Sequence, residues 1–404
     1  MEEAAKKENL KRKRKRRRRP AAEPLTPPDP AIVIALFGLM IIGAVMIYSS
    51  TSYTSDLDSQ STFLVKQIRA EVLGILGMGL IYIMPFGVIR WFGRLKPRIV
   101  LLCGSLGTVF LLLTPLGKTV NGATRWINLG PIGQVQPAEI VKIAVLIFIA
   151  GYVAEKTGAV DTLKGYAIPA LVTLGSAGLV YKISNNLSSA LIIAAIGMLM
   201  IFTASKKWQW QIIVYPLIAV LGVAYFLSKA HAAQAAGDVD NLKFRYKRIL
   251  IWEDPTNPDF YYEGAFQTLQ GLYAIGSGGV FGKGVGKGIQ KLDKIPEVHN
   301  DMIYSVICEE MGLVGAGVVL ILLAVLVIRS AQIALKARDT YSMLLCFGVT
   351  IHIAIQTILN VMVVTNTMPN TGVSLPFISY GGSSALFLMA EVGLVLRVAR
   401  NNNR

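Results

Sequence analysis

The chain has 404 residues, of which 53% are hydrophobic and only 16% charged, with a formal net charge of +16. A soluble domain of this length carries more charge, and several stretches reach the roughly 20 apolar residues needed to cross a bilayer, which leaves a polytopic membrane protein. Cys103, Cys308 and Cys346 fall in apolar stretches, and His231, His299 and His352 are widely spaced, which excludes a disulfide framework and a zinc motif.

Residues 11–19 are an unbroken run of Lys and Arg, followed by Pro20, Pro24, Pro27, Pro28 and Pro30. Residues 1–30 therefore read as a disordered, basic, Pro-rich cytoplasmic arm. Beside a first span, its expected partner is the anionic lipid of the inner leaflet, not nucleic acid.

Ten spans are predicted, near 31–50, 72–92, 99–117, 137–156, 166–183, 188–205, 210–229, 302–328, 341–365 and 379–398. The fold class is all-α, with a membrane domain over 31–399 and a short tail at 400–404. An even count puts both termini on one side. The positive-inside rule makes that side cytoplasmic, because Arg90, Arg94, Lys96, Arg98, Lys206, Lys207, Arg329, Lys336 and Arg338 all fall in the loops on that side. The outer face then receives 51–71, 117–136, a turn at 184–186, a long loop over 230–300 between spans seven and eight, and 366–378. The inner loops lack a Gly-rich phosphate loop followed by Lys and Ser or Thr. Energy for any reaction must already be stored in the substrate.

Candidate chemistry sits on the outer side. Asn121-Gly122-Ala123-Thr124-Arg125-Trp126 is followed by Gln134-Val135-Gln136-Pro137-Ala138-Glu139, with Lys142 one turn on. Pro137 suits a first helical turn. Glu139 and Lys142 share a helix face, and pairing lowers the cost of either charge in the membrane. The planar donor fork of Arg125 suits a pyrophosphate. Trp126 reads as an interface anchor.

The long outer loop carries Arg245, Lys247, Arg248, Trp252, Glu253, Asp254 and Gln267, then a glycine-rich run over 276–288. That run reads partly as a flexible re-entrant loop and partly as N–H groups and lysines for an anionic headgroup. Pro296-Glu297-Val298-His299-Asn300-Asp301 closes the loop. Asp301 stands at the threshold of the eighth span, where a carboxylate is either a helix cap or a functional acid. Glu309 and Glu310, inside that span, read as a buried structural pair. The last outer loop, Thr371-Gly372-Val373-Ser374-Leu375-Pro376-Phe377-Ile378-Ser379-Tyr380-Gly381-Gly382, is a tight helix-entry motif with Ser379 as its candidate cap.

Taken in order, these runs resemble the SEDS family of cell-wall glycosyltransferases, whose members include FtsW, RodA and SpoVE. The resemblance leans towards the FtsW and SpoVE branch. It implies polymerisation of lipid II into glycan strands at the outer face of the bacterial cytoplasmic membrane, with release of undecaprenyl pyrophosphate. Asp301 is the catalytic residue it implies. Arg125, Gln136, Glu139, Lys142, Glu297, His299, Ser379 and Tyr380 are the candidate substrate-binding residues. A divalent cation, magnesium or manganese, and a class B penicillin-binding protein as partner are expected from the resemblance alone. The rival reading is a lipid II flippase or an ion-coupled transporter, since ten spans with intramembrane charges suit that class too.

Overall fold

The computed structural model describes residues 27–51, 57–120, 123–130, 133–235, 244–291 and 298–402. The expected basic arm up to residue 26, Glu297 and the last two residues lie outside them. Among the described residues, nine helices are long and apolar enough to span a membrane, or ten if one bent pair is a single span.

In chain order the helices are α1 Pro30–Thr51, α2 Leu57–Ile83, α3 Phe86–Phe92, α4 Leu95–Phe110, α5 Pro137–Glu155, α6 Leu163–Ser184, α7 Leu187–Ala204 and α8 Gln209–Ala235. After them come α9 Phe244–Glu253, α10 Ala265–Gly278, α11 Ile303–Leu335, α12 Thr340–Val364 and α13 Gly382–Asn402. Between α4 and α5 the chain forms a small antiparallel sheet, ordered β1 Gly117–Val120, β2 Ala123–Asn128, β3 Gln134–Val135.

The bundle is built around α5, whose most apolar window is 83% buried; the corresponding figure for α8 is 6%. Helix α5 packs on α4, α7 and α12, while α13 packs along α2 and α11 along α1 and α12. Local sequence sets the helix ends. Pro137 occupies the first turn of α5. Asn186 caps α7 by accepting from the Ser189 amide at 3.0 Å, and Asp339 caps α12 by accepting from the Ser342 amide at 3.0 Å.

Several expectations need correction. The outer loop expected over 51–71 is helical from Leu57, so the second span starts earlier than residue 72. It bends by 99° before α3, because Pro85 has no N–H to donate and disfavours helical backbone at Met84. Arg397 donates to the Met84 carbonyl at 2.7 Å and Arg400 to that of Tyr82 at 3.3 Å, so two arginines of α13 take up carbonyls at the end of α2. The all-α description holds apart from the sheet at 117–135. The expected loop over 230–300 contains the end of α8 and two further helices. The last span starts at Gly382, after the Ser-Tyr-Gly turn.

Helix α11 is broken inside. Gly312 has φ 66° and ψ −168°, a conformation open to glycine alone without strain. The glycine-rich run fills the break. Leu313 and Val314 donate to the carbonyls of Gly279 and Val280 at 3.0 and 3.1 Å, and Lys283 and Gly284 donate to those of Glu309 and Glu310, both at 2.9 Å. Non-helical backbone inside a membrane requires such partners.

The same run surrounds two carboxylates. Glu309 accepts from the Ile289 amide at 2.9 Å and pairs with Lys283 at 2.8 Å. Glu310 accepts from the Gly286 amide at 2.9 Å, pairs with Lys291 at 2.6 Å and accepts from Ser49 of α1 at 2.8 Å. Lys291, Glu309 and Glu310 are all buried. The glycine-rich run and the two residues after it thus direct N–H groups to carbonyls and carboxylates of Glu309 and Glu310, and the buried structural pair is where the sequence reading put it.

Candidate active site

Asp301 lies one residue outside the N-cap of α11, which is Met302, and the Met302 side chain makes no cap hydrogen bond. Asp301 is thus not the N-cap residue. Its peptide is held instead by α12, where the Asn360 amide donates to the Asp301 carbonyl at 2.9 Å and to that of Val373 at 2.7 Å. The Asp301 carboxylate is half-buried and accepts at Oδ1 from Gln267 Nε2 of α10 at 3.3 Å.

Two guanidinium groups stand close by. Arg248 of α9 donates to the Asn370 carbonyl at 2.8 Å. Burial pulls its pKa below the ordinary arginine value; the Asp301 charge opposes that shift and the Arg125 charge adds to it. Arg125, on β2, is likewise lowered by burial, and its Nε has no hydrogen-bond partner among the described residues. Arg248 feels the charges of both Asp301 and Arg125, and two half-buried cations with one carboxylate near them suit a multiply charged anion. Arg248, Trp252, Gln267, Thr268, Asn366 and Asn370 line a small concavity at this group.

The two motifs flanking the site meet directly. The His299 ring lies 4.8 Å from Phe63 and 5.4 Å from Tyr380, and Phe63 lies 5.2 Å from Tyr380. Ser379 accepts from the Leu375 amide at 2.7 Å, closing its own turn instead of capping a helix. That turn holds Phe377 at φ 63° and packs on Gly43 of α1, where a Cβ would come within 3.0 Å of Ile378 Cα. Ser188 of α7 donates to the Thr371 carbonyl, which fixes the other end of the loop.

The remaining expected residues sit deeper. Gln136 precedes α5 and reaches Ser189 Oγ at 3.5 Å. Lys142 donates to Glu139 at 2.8 Å and lies 3.2 Å from His352 Nε2, while His352 Nδ1 lies 2.8 Å from Glu391. All four are buried, and the chain links α5, α12 and α13. Glu139 and Lys142 can meet a substrate only if this network opens. Arg248, Gln267, Asn360 and Asn370 are absent from the expected site. Arg248 and Gln267 stood in the long outer loop named from the sequence but without an assigned role, and Asn360 is an amide inside a membrane span.

A fold of this kind defines a polytopic membrane protein, with Asp301 at the threshold of one of its spans. Residues 30–404 match the FtsW/RodA/SpoVE family described as "Cell cycle protein", and the chain belongs to that family. It is 32% identical to Stage V sporulation protein E of Bacillus subtilis over 381 residues, covering 93% of this chain and 98% of that one. It is 33% identical to a probable peptidoglycan glycosyltransferase FtsW of Geobacter sulfurreducens over 377 residues, covering 92% and 95%. Among solved structures, a chain from a peptidoglycan synthase complex that coordinates polymerization and crosslinking aligns with a TM-score of 0.73 and 27% identity, covering 94% of this chain and all of that one. RodA of Thermus thermophilus aligns at 0.65 and 25%, covering 93% and 98%. The protein is a multi-pass membrane glycosyltransferase of cell-wall synthesis.

Proposed function

We propose that this chain polymerises lipid II at the outer face of the cytoplasmic membrane, with both termini inside and Asp301 as general base. The Asp301 carboxylate takes the proton of the acceptor sugar's 4-hydroxyl. That oxygen forms a bond to the anomeric carbon of the donor, whose bond to the pyrophosphate oxygen breaks. The bonding pair leaves with undecaprenyl pyrophosphate. Arg125 and Arg248 offset the charge that develops on the leaving group.

The observation that carries this reading is the Asp301 carboxylate outside the end of α11, bonded by Gln267 and feeling the charge of Arg248. The His299 and Tyr380 rings meet edge to face, an aromatic surface that suits a sugar ring. A divalent cation does not suit the described residues. No three His, Cys, Asp or Glu side chains converge among them, and the groups around Asp301 are guanidinium and amide donors. No step is routed through a metal. The expected partner is a class B penicillin-binding protein; the likeness to a chain from a synthase complex supports a crosslinking partner of that kind.

Reconstitution tests the proposal. Lipid II supplied only to the outer leaflet of proteoliposomes should be converted to glycan polymer. Redistribution of lipid II between leaflets without polymer would mean a flippase.

A further inference from the structure

A backbone N–H can only donate, and one such group sets the direction of a hydrogen-bond chain ending at Asp301. The Gly372 amide donates to Asn370 Oδ1 at 2.9 Å. Asn370 must therefore turn its Nδ2 the other way, where it donates to Gln267 Oε1 at 3.2 Å. With its oxygen so engaged, Gln267 presents Nε2, and only Nε2, to the Asp301 carboxylate at 3.3 Å. A reversed Gln267 would set oxygen against oxygen. The backbone of Asn370 is itself tethered by Arg248, which donates to its carbonyl at 2.8 Å.

We propose that Gln267 is a positioning residue for the Asp301 carboxylate, and that Asn370 fixes which end of the Gln267 amide faces it. The proposal rests on the reading of Asp301 as the base. An amide donor favours the ionised carboxylate and holds one of its oxygens, so the base stays deprotonated and aimed. The Asn360 bond to the Asp301 carbonyl fixes the peptide, so the two contacts together set both ends of the residue.

The charged group that interacts with Asp301 is Arg248 of α9, which also feels Arg125 of β2, and the His299 and Tyr380 rings meet next to the run that ends in Asp301. Helices α10 and α12 contribute the neutral Gln267 and Asn360, and the 371–373 loop contributes the Val373 carbonyl. The Arg248 guanidinium favours the carboxylate whether or not Gln267 is present. Losing the amide therefore moves the acid limb of the rate profile without abolishing activity.

The test uses the purified full-length protein and measures initial polymerisation rates on lipid II from acid to alkaline pH. Gln267→Met keeps length and removes the donor. Its acid limb should move to higher pH, with kcat down about tenfold and KM changed little. Gln267→Glu sets a like charge beside Asp301 and should move the limb further. Asn370→Leu should move it in the same direction without touching Gln267, and the double variant Gln267→Met with Asn370→Leu should shift no more than Gln267→Met alone. A slower enzyme with an unmoved limb in both single variants would reduce Gln267 to packing and overturn the proposal, as would additive shifts for the part assigned to Asn370. Asp301→Asn is run alongside. If it retains polymerisation, the reading of Asp301 falls; if it is inactive while Gln267→Met and Asn370→Leu keep the wild-type limb, this inference falls alone.

Discussion

Tyr380 donates its backbone N–H to the His299 carbonyl at 2.8 Å, and their rings meet edge to face at 5.4 Å. One hydrogen bond therefore ties the run that ends in Asp301 to the closing motif before α13. Burial pushes the Tyr380 phenol above its ordinary pKa, so it remains neutral wherever the enzyme works. Tyr380→Phe should keep the wild-type pH–rate profile. Tyr380→Ala, which removes that aromatic surface, should lower polymerisation by about tenfold, measured as initial rate on lipid II.

Arg125 and Arg248 are expected to act as one anion clamp. Arg125→Gln and Arg248→Gln should each lower kcat by roughly a hundredfold, and the double variant should lose less than the product of the two. Added inorganic pyrophosphate should inhibit the wild type more strongly than either variant. Arg248→Lys should recover little, because a single ammonium cannot replace a fork that also holds the Asn370 carbonyl. Equal pyrophosphate inhibition in all four proteins would remove the clamp.

Burial of the pair Lys291–Glu310 at 2.6 Å predicts an asymmetric response to mutation. Lys291→Met leaves a buried carboxylate without its cation and should cost on the order of 3–5 kcal/mol. Adding Glu310→Gln should recover most of that loss. Thermal unfolding in detergent reads both effects, and a single variant as stable as the wild type would contradict the buried placement.

The glycine-rich run predicts a graded response as well. A Cβ at Gly282 would lie 2.2 Å from the Glu310 carbonyl oxygen, at φ 77°. Gly286 has φ 84° and open space around it. Gly286→Ala should therefore cost only the left-handed backbone, about 1–2 kcal/mol. Gly282→Ala should be far more damaging, because backbone must shift at the break in α11. Comparable losses of folded protein on size exclusion would contradict the packing described.

The sequence made the membrane architecture legible because each span carries its own apolar run, independent of its neighbours. Asp301 was legible from its placement at a helix threshold, and its partners were not. Arg248 meets Asn370 at a sequence separation of 122, and no local periodicity records such a contact. The 276–288 run showed many glycines, but the carboxylates that need its N–H groups lie on the next helix. Lys142 was visible as the partner of Glu139, three residues away. Its second neighbour, His352, comes from another span and was read as one of three scattered histidines. The bend at Pro85 was written in the residue type, yet hydropathy alone carried the span across it. The 117–135 sheet was obscured because a short hairpin beside a membrane helix has too few residues to show an alternating pattern.

The most direct measurement is glycan polymerisation from purified lipid II by Asp301→Asn, folded and inserted in the membrane. The substitution keeps the side chain's size and removes the acceptor of the proton. The account predicts that no polymer forms while lipid II is still bound. Elongation at the wild-type rate would contradict it.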